Sequence, residues 1–578
     1  MFRKNSRHLQ IPLTSHVDEL PEPLRKRLRT SWAETFYQQF FCRLDETPFE
    51  VLYADLPSRP NVPVNVLVSL EFLKAANGWT DEELYDNACF DVQVRYAIGY
   101  RQLSEGYFDL RTLYYFRERL SRHMQETGIN LLDQAFAQVT DAQIHAFALK
   151  TGKQRMDSTL LASNIRRMGR VQLLVTVLQR VHGMLSEADQ SRYAGLFEPY
   201  LKGHAGQYVY RLKAEELDEH LQRIGEDMRR LLSELEAEYH THPTYAVLAR
   251  VFVEHFRVAA ERLEVKQGNE LSASSLQSPD DLEAAYREKH GQSVQGFSAN
   301  LSQTCDPDNP FQLITHTQVA PANTDDTQFL LQAVPRLQER TDLDTLITDG
   351  AYANEQTDAL LEAQGITHIQ TALRGRAPDE NRLALHDFDF TCDENGQPQQ
   401  LTCPNGQTVP VTPSDQSSSF LVCFPQATCQ TCPLREKCPV VPYKKQPFTR
   451  LRFDQPALRR AWRRKIAQAY FPHGHNLRAA IEAIVRSVKH PFPAGKLPVR
   501  GLFRAACMVM GSAAVSNVRQ IHRYLIAQKK GDLRQQNQKE QTSHQAENAL
   551  AQAADLLFSL FRRPLPPPWR LAGSLLGW

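Results

Sequence analysis

The chain has 578 residues, and its 67 Lys and Arg residues nearly balance its 66 Asp and Glu residues, for a formal net charge of +1. Hydrophobic residues make up 42% and charged residues 23%, which is typical of globular domains and excludes a disordered or fibrous protein. The length predicts roughly three to four domains. No run of about 18 apolar residues is present, and the N-terminus lacks the apolar core of a secretory signal, so we expect a cytoplasmic protein without a membrane partner.

Residues 1–145 are predicted to form an all-α N-terminal domain. Apolar residues, Leu67 and Leu70 among them, recur there at helical spacing. The next helix is expected to begin after Thr80, with Glu83 completing a capping box.

The remainder of the chain alternates between helical and strand-like segments. Long apolar repeats at helical spacing predict an all-α block from Val171 to about Leu263. The runs FQLITHTQVA, TLITDGAY and ITHIQTAL predict strands, and the helical segment from Asn354 to Gln364 completes a β-α-β unit, which is typical of a parallel or mixed sheet. Residues 376–454 are rich in Pro, Gln, Ser and Cys and are predicted to be an irregular insert. A helical region follows, and 527–578 are predicted to be a polar linker or exposed helix with an extended tail.

Two aspartates accompany apolar runs of this kind. Asp349 stands at the carboxyl end of TLIT, where α/β folds place their functional sites, although Asp-Gly alone also favours a turn. Asp157 lies in KQRMDSTLLASN, and its alternative role is the N-cap of a helix beginning at Leu160.

A more informative pattern lies in the helical region. At about 100° per residue, five side chains fall within roughly 80° of one another on one helix, beside an apolar stripe. These five are His475, Arg478, Glu482, Arg486 and Lys489. A solvated amphipathic helix usually mixes its charges, whereas this face holds a single acid among bases. The pattern favours a functional helix over a solvated one.

These motifs resemble DDE transposases of bacterial insertion sequences. His475-x2-Arg478-x3-Glu482-x6-Lys489 resembles the family's Tyr-x2-Arg-x3-Glu-x6-Lys signature, with His in place of the Tyr. MDSTLLASN and LITDGAYAN resemble the segments around the family's first and second Asp. The N-terminal helical region and the Cys-rich insert also look like members of this branch.

The resemblance implies an α/β fold with an RNase H-like catalytic core, a mixed sheet flanked by helices. An all-α insertion and a Cys-rich insertion interrupt this core, and the all-α N-terminal domain that precedes it is expected to bind DNA ends. The implied division is 1–145 for the N-terminal domain, 146–163 plus 291–375 plus 455–526 for the core, 164–290 for the helical insertion, 376–454 for the Cys-rich insertion and 527–578 for the linker and tail.

The resemblance also implies a catalytic triad of Asp157, Asp349 and Glu482 that holds two Mg²⁺ or Mn²⁺ ions. Two divalent ions can cleave a phosphodiester together, and Mg²⁺ prefers hard carboxylate oxygens. Asp342 and Asp344 are rival acids, but they lie at the start of the strand and are expected to face solvent. The implied activity is cleavage at insertion-sequence ends, followed by strand transfer into target DNA.

Local charge is consistent with a DNA partner. Fifteen Lys and Arg but only two Asp and Glu lie between Lys444 and Arg504. The rest of the chain is acidic and cancels this basic stretch in the net charge of +1. The expected partners are double-stranded terminal inverted repeats, target DNA and further copies of the chain, as a homodimer or higher oligomer in the bacterial nucleoid. The candidate DNA contacts are His475, Arg478, Arg486, Lys489, Arg463 and Arg464.

Six of the ten cysteines lie in the Cys-rich insertion, which in a chain without a secretory signal favours metal ligation over disulfides. Cys429, Cys432 and Cys438 have zinc-ligand spacing. Cys403 is the candidate for the fourth ligand, and Cys423 is its rival. One structural Zn²⁺ is therefore a second candidate cofactor, and the alternative is a group of reduced surface thiols.

Two other functions fit the sequence. One is an RNase H-like nuclease without strand transfer. The other is a catalytically inactive descendant of a transposase that binds DNA as a regulator. The intact acids favour an active enzyme, whereas His475 departs from the family pattern and keeps the inactive descendant open.

Overall fold

The computed structural model describes residues 2–10, 15–54, 60–259, 261–289, 291–371, 379, 381–393, 396–414, 419–443, 446–470 and 479–561. The chain divides into two compact units, Met1–Val518 and Arg519–Trp578. Among the helices of these ranges, none combines the length and the apolar character that a membrane span needs.

The described elements of the first 146 residues are helical, as predicted. Helix α3 is almost entirely buried, and the ring of its Phe72 packs against Phe40, which stacks on Phe36. The capping box predicted at Thr80 and Glu83 is confirmed. The helices are α1 Glu22–Arg29, α2 Trp32–Gln39, α3 Val64–Asn77, α4 Asp81–Phe90, α5 Val92–Ala97, α6 Arg111–Thr127 and α7 Leu131–Ala146.

Replacing Gly78 by Ala is expected to destabilise the protein by about 2–5 kcal/mol. Gly78 ends α3 with φ +68°, and an added Cβ would lie 2.4 Å from the carbonyl oxygen of Pro491. The left-handed backbone costs a residue with Cβ about 1–2 kcal/mol, and overpacking costs about 1–3 kcal/mol more. The change is measured as a lower midpoint of thermal unfolding, followed by circular dichroism.

Gly128 is the matched control for this substitution. It ends α6 with φ +73°, but no atom lies within 4 Å of its added Cβ. Gly128→Ala should therefore cost only the backbone penalty of about 1–2 kcal/mol. Equal shifts of the unfolding midpoint in the two variants would contradict the packing argument.

A long strand, β1 (Lys153–Ala162), follows the N-terminal helices. It contains Asp157, so the alternative of a helix N-cap for this residue is wrong. The reason is that β1 is a central strand: it pairs over nine residues with a second long strand, Gln292–Thr304, and this ladder fixes its extended backbone.

The block between these two strands is mostly helical, but the prediction of an all-α block is wrong. A hairpin of two strands follows its last helix, and Phe256 and Leu263 of this hairpin pack against Gly225. The elements are α8 Arg170–Met184, α9 Glu187–Arg192, α10 Ala194–Leu201, α11 Ala205–Tyr210, α12 Leu217–Tyr239, α13 Pro243–His255, β2 Phe256–Ala259 and β3 Arg262–Val265.

The central sheet is mixed, as predicted, and has the order β4-β5-β1-β7-β8, with β6 also paired to β5. Strand β5 runs antiparallel to β1, β4 and β6, whereas β7 is parallel to both β1 and β8. The predicted strands β6, β7 and β8 and the helix between β7 and β8 are confirmed. The elements are β4 Ala285–Lys289, β5 Gln292–Thr304, β6 Ile314–Pro321, α14 Asp326–Gln338, β7 Thr345–Thr348, α15 Glu355–Ala363 and β8 Thr367–Gln370.

The Cys-rich block is not irregular, which corrects the prediction. It forms a six-stranded antiparallel sheet of order β13-β14-β12-β11-β10-β9 around a core that includes Phe388, Leu401 and Val422. Buried and exposed residues alternate along β14 and along most of β11. The elements are β9 Asp389–Cys392, β10 Pro398–Thr402, β11 Thr408–Pro413, β12 Ser419–Pro425, α16 Gln426–Gln430, β13 Val441–Pro442 and β14 Phe448–Asp454.

Three helices complete the described chain: α17 Gln455–Tyr470, α18 Ala479–Lys489 and α19 Leu502–Phe561. Of the two alternatives for the residues after 527, the structure shows a helix, which extends as far as Phe561. His475 and Arg478 lie outside the described residues.

Candidate active site

Asp157 and Asp349 stand at matching positions on neighbouring parallel strands. The last paired residues of β1 and β7 are Arg155 and Ile347, and each aspartate comes two residues later. Since side chains alternate between faces, both carboxylates belong to the same face of the sheet, on strands about 4.8 Å apart. Asp349 keeps an extended backbone and its carboxylate accepts a 2.8 Å hydrogen bond from the amide of Ala351, so the turn role offered as the alternative for this residue is confirmed.

A buried polar network lies beneath this aspartate pair, on the opposite face of the sheet. The hydroxyl of Ser158 donates to Asp326 at 2.6 Å, and the hydroxyl of Tyr352 donates to Asn300 at 2.7 Å. Burial raises the pKa of Tyr352 well above its usual value, and the carboxylates of Asp326 and of the aspartate pair raise it further. The network therefore anchors the segments that carry both aspartates.

Helix α17 covers the face that carries the aspartate pair. Its residues Ile466 and Tyr470 pack against Ile347 and Ile369 of β7 and β8. Met156 and Leu346, which point the other way, pack instead against α14 and α15. The aspartate face is therefore the face on which the last helices of the first unit lie.

Helix α18 packs against β1 and is tied to it by Lys489. The ammonium of Lys489 donates to the hydroxyl of Thr159 at 3.2 Å and to the carbonyl of Leu160 at 3.0 Å. Burial lowers the pKa of this lysine. On the apolar side of the helix, Ile484 and Val488 are buried, which confirms the predicted amphipathic pattern.

Glu482 is exposed in the first turn of α18, two turns before Lys489. Arg486 lies between them and is also exposed. The spacings of four and three residues place all three on one side of the helix. The structure thus presents the predicted lone acid on the same stripe as the lysine that contacts β1.

The remaining candidates for DNA contact are engaged within the protein. Arg463 on α17 forms an ion pair with Asp358 of α15, and its side chain is only 19% exposed. Arg464 is half-buried and also has an interaction partner in the structure. Among the described candidates, Arg486 therefore presents the most open cation.

The rival acids Asp342 and Asp344 are exposed at the amino end of β7, as predicted. Asp344 accepts a 2.6 Å hydrogen bond from the hydroxyl of Thr345. Their position, at the opposite end of the strand from Asp349, separates them from the aspartate pair.

The four candidate zinc ligands gather in the Cys-rich sheet. Burial raises the pKa of the Cys438 thiol, and Cys429, Cys432 and Cys403, each within electrostatic reach of Cys438, raise it further. The Cys403 sulfur accepts a 3.4 Å hydrogen bond from the amide of Gln407. The rival Cys423 is exposed on β12.

Within the described ranges, no group of three or more His, Cys, Asp or Glu side chains is arranged to hold a metal ion. The aspartates form a pair and the cysteines form a loose group of four. Both sets have donors suited to a cation, hard carboxylates in one and soft thiolates in the other.

Sequence reasoning missed the supporting residues. Tyr352 lies within the segment LITDGAYAN, but nothing in its spacing indicates the hydrogen bond to Asn300. Asp326 is the first residue of α14, and an acid at this position ordinarily stabilises the helix N-terminus. Only the pairing of distant strands brings these side chains beneath the aspartate pair.

Residues 402–522 match the model of a family described as Transposase DDE domain. The matched segment is about a fifth of the chain and contains Glu482, Lys489 and the four candidate zinc ligands. Asp157 and Asp349 lie outside it. The match supports a DDE transposase, and with it a role in DNA transposition and DNA as the substrate. No curated protein and no solved structure gives a match to the chain.

Proposed function

We propose that this protein is a DNA transposase that cleaves DNA at the ends of an insertion sequence and joins the freed 3′ end to target DNA. The observation that carries the proposal is the aspartate pair, because Asp157 and Asp349 come from separate strands that the fold places side by side. The mixed sheet, with one aspartate on its first strand and the other at the end of a parallel neighbour, supports an RNase H-like core.

We propose Glu482 as the third acid because it lies with Arg486 and Lys489 on one side of α18. The segment that follows this helix meets the carboxyl end of β1, where Leu497 donates its amide to the carbonyl of Ala162 at 2.8 Å. The contact between Lys489 and Thr159 brings the end of α18 beside β1, two residues after Asp157. The assignment of Glu482 is supported by its position beside Arg486 and Lys489 on one side of α18, and not by a cluster of three carboxylates.

Asp157, Asp349 and Glu482 would hold the divalent cations that the family normally uses. Such cations, when bound, activate a water or a 3′-hydroxyl and stabilise the leaving oxygen of a phosphodiester. The protein contributes the carboxylates, and its buried network of Ser158 and Tyr352 fixes the strand ends that carry the aspartate pair. The two aspartates on neighbouring strands of a rigid sheet suit such a site because they are oriented before any ligand binds.

DNA is proposed to approach along the exposed stripe of α18. Arg486 is exposed there and available to a phosphate, and Lys489 fixes the helix on β1. Strand transfer needs two DNA ends, so we propose that the protein works as a homodimer or higher oligomer on DNA in the nucleoid.

We further propose that Cys403, Cys429, Cys432 and Cys438 hold one structural zinc ion. The grouping of the four thiols around Cys438 supports the site, as does the hydrogen bond that the Cys403 sulfur accepts. Thiolate sulfur is the preferred ligand of structural zinc. The ion would then fasten the turn at Cys403 to the segment after β12.

The proposed function is tested with DNA that carries the sequences flanking the gene. Purified protein, Mg²⁺ and a labelled fragment with both flanking inverted repeats should give breaks at the repeat ends. A supercoiled target plasmid added to the same reaction should acquire the labelled fragment through its 3′ ends. Products are resolved by gel electrophoresis and their junctions are sequenced.

The possible products separate the alternatives. Breaks together with joined products are expected for the transposase. Breaks without joining would contradict strand transfer and favour the nuclease. Binding without breaks, in Mg²⁺ and in Mn²⁺, would contradict the enzyme and favour the inactive descendant.

A further inference from the structure

A cleft of about 900 Å³ opens on the N-terminal helical region, away from the residues of the aspartate pair. Four basic side chains line its described part, Arg3, Lys4, Arg7 and Arg119, and the acid among them is Asp109. The carboxylate of Asp109 accepts a 2.8 Å hydrogen bond from the amide of Arg111 and so caps α6. The cleft is therefore positive and suits an anion.

Two tyrosines at this cleft are exposed to an extent unusual for aromatic residues. Tyr107 is 81% exposed and Tyr115 is 56% exposed. Tyr107 is turned outward by its neighbours, because Phe108 is buried and Gly106 packs against the ring of Tyr100 with φ +80°. An exposed aromatic ring that its own backbone holds in place is suited to stacking on a flat ligand.

Arg119 is a basic residue of the cleft that also contacts its tyrosines. It lies one turn after Tyr115 on α6, and its guanidinium stands 4.8 Å from the ring centre of Tyr53. Its Nε donates to the carbonyl of Tyr115 at 3.2 Å and its Nη1 to the carbonyl of Leu52 at 3.4 Å. These contacts orient the guanidinium against the ring of Tyr53, which also lines the cleft.

We propose that this cleft binds unpaired nucleotides of a DNA strand, with the bases stacked on Tyr107 and Tyr115 and the phosphates held by Arg3, Arg7 and Arg119. Positive grooves with exposed aromatic rings bind single strands in this way, because every base offers a flat face whatever its sequence. Duplex DNA keeps its bases stacked on one another, so it would use the arginines alone. The proposal rests on the proposed function for its choice of DNA as the nucleic acid.

The test measures DNA binding without catalysis, by fluorescence anisotropy in EDTA. The labelled probes are a blunt duplex and the same duplex with a single-stranded 3′ tail of six thymidines. The full-length protein should bind the tailed probe about tenfold more tightly. Tyr107→Ala/Tyr115→Ala should lose most of this preference, whereas Tyr107→Phe/Tyr115→Phe should keep it because the rings remain. Unfolding midpoints of both double variants verify that they are folded.

A matched variant completes the experiment. Tyr210→Ala removes a tyrosine that is 91% exposed on α11, outside the cleft, and should keep the preference. Because binding is measured in EDTA, without cleavage or joining, failure of the proposed function would leave this result intact. Equal binding of the two probes by the wild type would overturn the proposal, as would an undiminished preference in the alanine variant. Displacement of the tail by free thymidine monophosphate at micromolar concentration would overturn the choice of a DNA strand.

Discussion

Asp349→Asn is expected to reduce DNA cleavage at the flanking repeats by about 1,000-fold or more. In the proposed site this carboxylate is a cation ligand, and its charge is lost while its size and its turn hydrogen bond to Ala351 are kept. A bound cation contributes several kcal/mol to the stabilisation of the transition state, and each 1.36 kcal/mol corresponds to a tenfold change in rate. The measurement is the initial rate of strand cleavage in Mg²⁺, by quantitative gel electrophoresis.

Asp344→Asn is the matched control for this loss. Asp344 lies five residues earlier, at the amino end of the same strand, where it is exposed. The same change of charge there should leave the cleavage rate within about twofold of wild type. Similar losses in the two variants would contradict the assignment, because a general effect of charge on DNA binding would then explain both.

Asp157→Asn and Glu482→Gln extend the prediction to the other proposed ligands. Asp157 shares the sheet face of Asp349, so its substitution should cause a loss of the same order. Glu482 is assigned only from its position on one side of α18, so Glu482→Gln tests whether this residue belongs to the metal site at all. Full cleavage by Glu482→Gln beside an inactive Asp349→Asn would restrict the metal site to the two aspartates.

Much of the fold could be predicted because its signals are local. The strand TLIT, the helix from Asn354 and the capping box at Thr80 each depend on residues a few positions apart, and all are confirmed. The hairpin β2–β3 escaped prediction because its exposed face is charged. Arg257 pairs with Glu264 across the hairpin at 2.7 Å, and only Phe256 and Leu263 mark its buried side.

The Cys-rich sheet was missed for a different reason. Its strands have between two and seven residues and contain Pro and Gln, which weaken any local strand signal. Each strand gains its stability from neighbours in a six-stranded sheet, around a core that includes Phe388 and Val422. Such stabilisation depends on pairing between distant segments and cannot be read from one segment alone.

The candidate site, too, could be predicted from the sequence only in part. The motifs around Asp157 and Asp349 could be recognised in the sequence, but their juxtaposition depends on the register between β1 and β7. The network of Ser158, Asp326 and Tyr352 depends on that register as well. Residue types therefore indicated the chemistry, whereas the support beneath the aspartate pair required the structure.

Cys429→Ser/Cys432→Ser is expected to abolish zinc binding and to loosen the Cys-rich sheet. The wild type, purified without chelator, should contain about one zinc ion per chain, and the variant none. Structural zinc contributes about 10–16 kcal/mol in small zinc-finger peptides at pH 7. Three of the four cysteines pack on the core of this sheet, so we expect rapid proteolysis within 376–454 once the ion is lost. Metal content is measured by mass spectrometry, and cleavage sites by peptide mapping.

Single substitutions then identify the fourth ligand. Cys403→Ser should lose zinc, whereas Cys423→Ser should retain it, because Cys423 is exposed and Cys403 belongs to the group around Cys438. The opposite pattern would assign the site to Cys423, and a wild type without metal would contradict a zinc site altogether.

The pH dependence of zinc binding adds an independent criterion. Burial raises the pKa of the Cys438 thiol, so its deprotonation by zinc releases a proton, and zinc affinity should fall steadily as the pH is lowered.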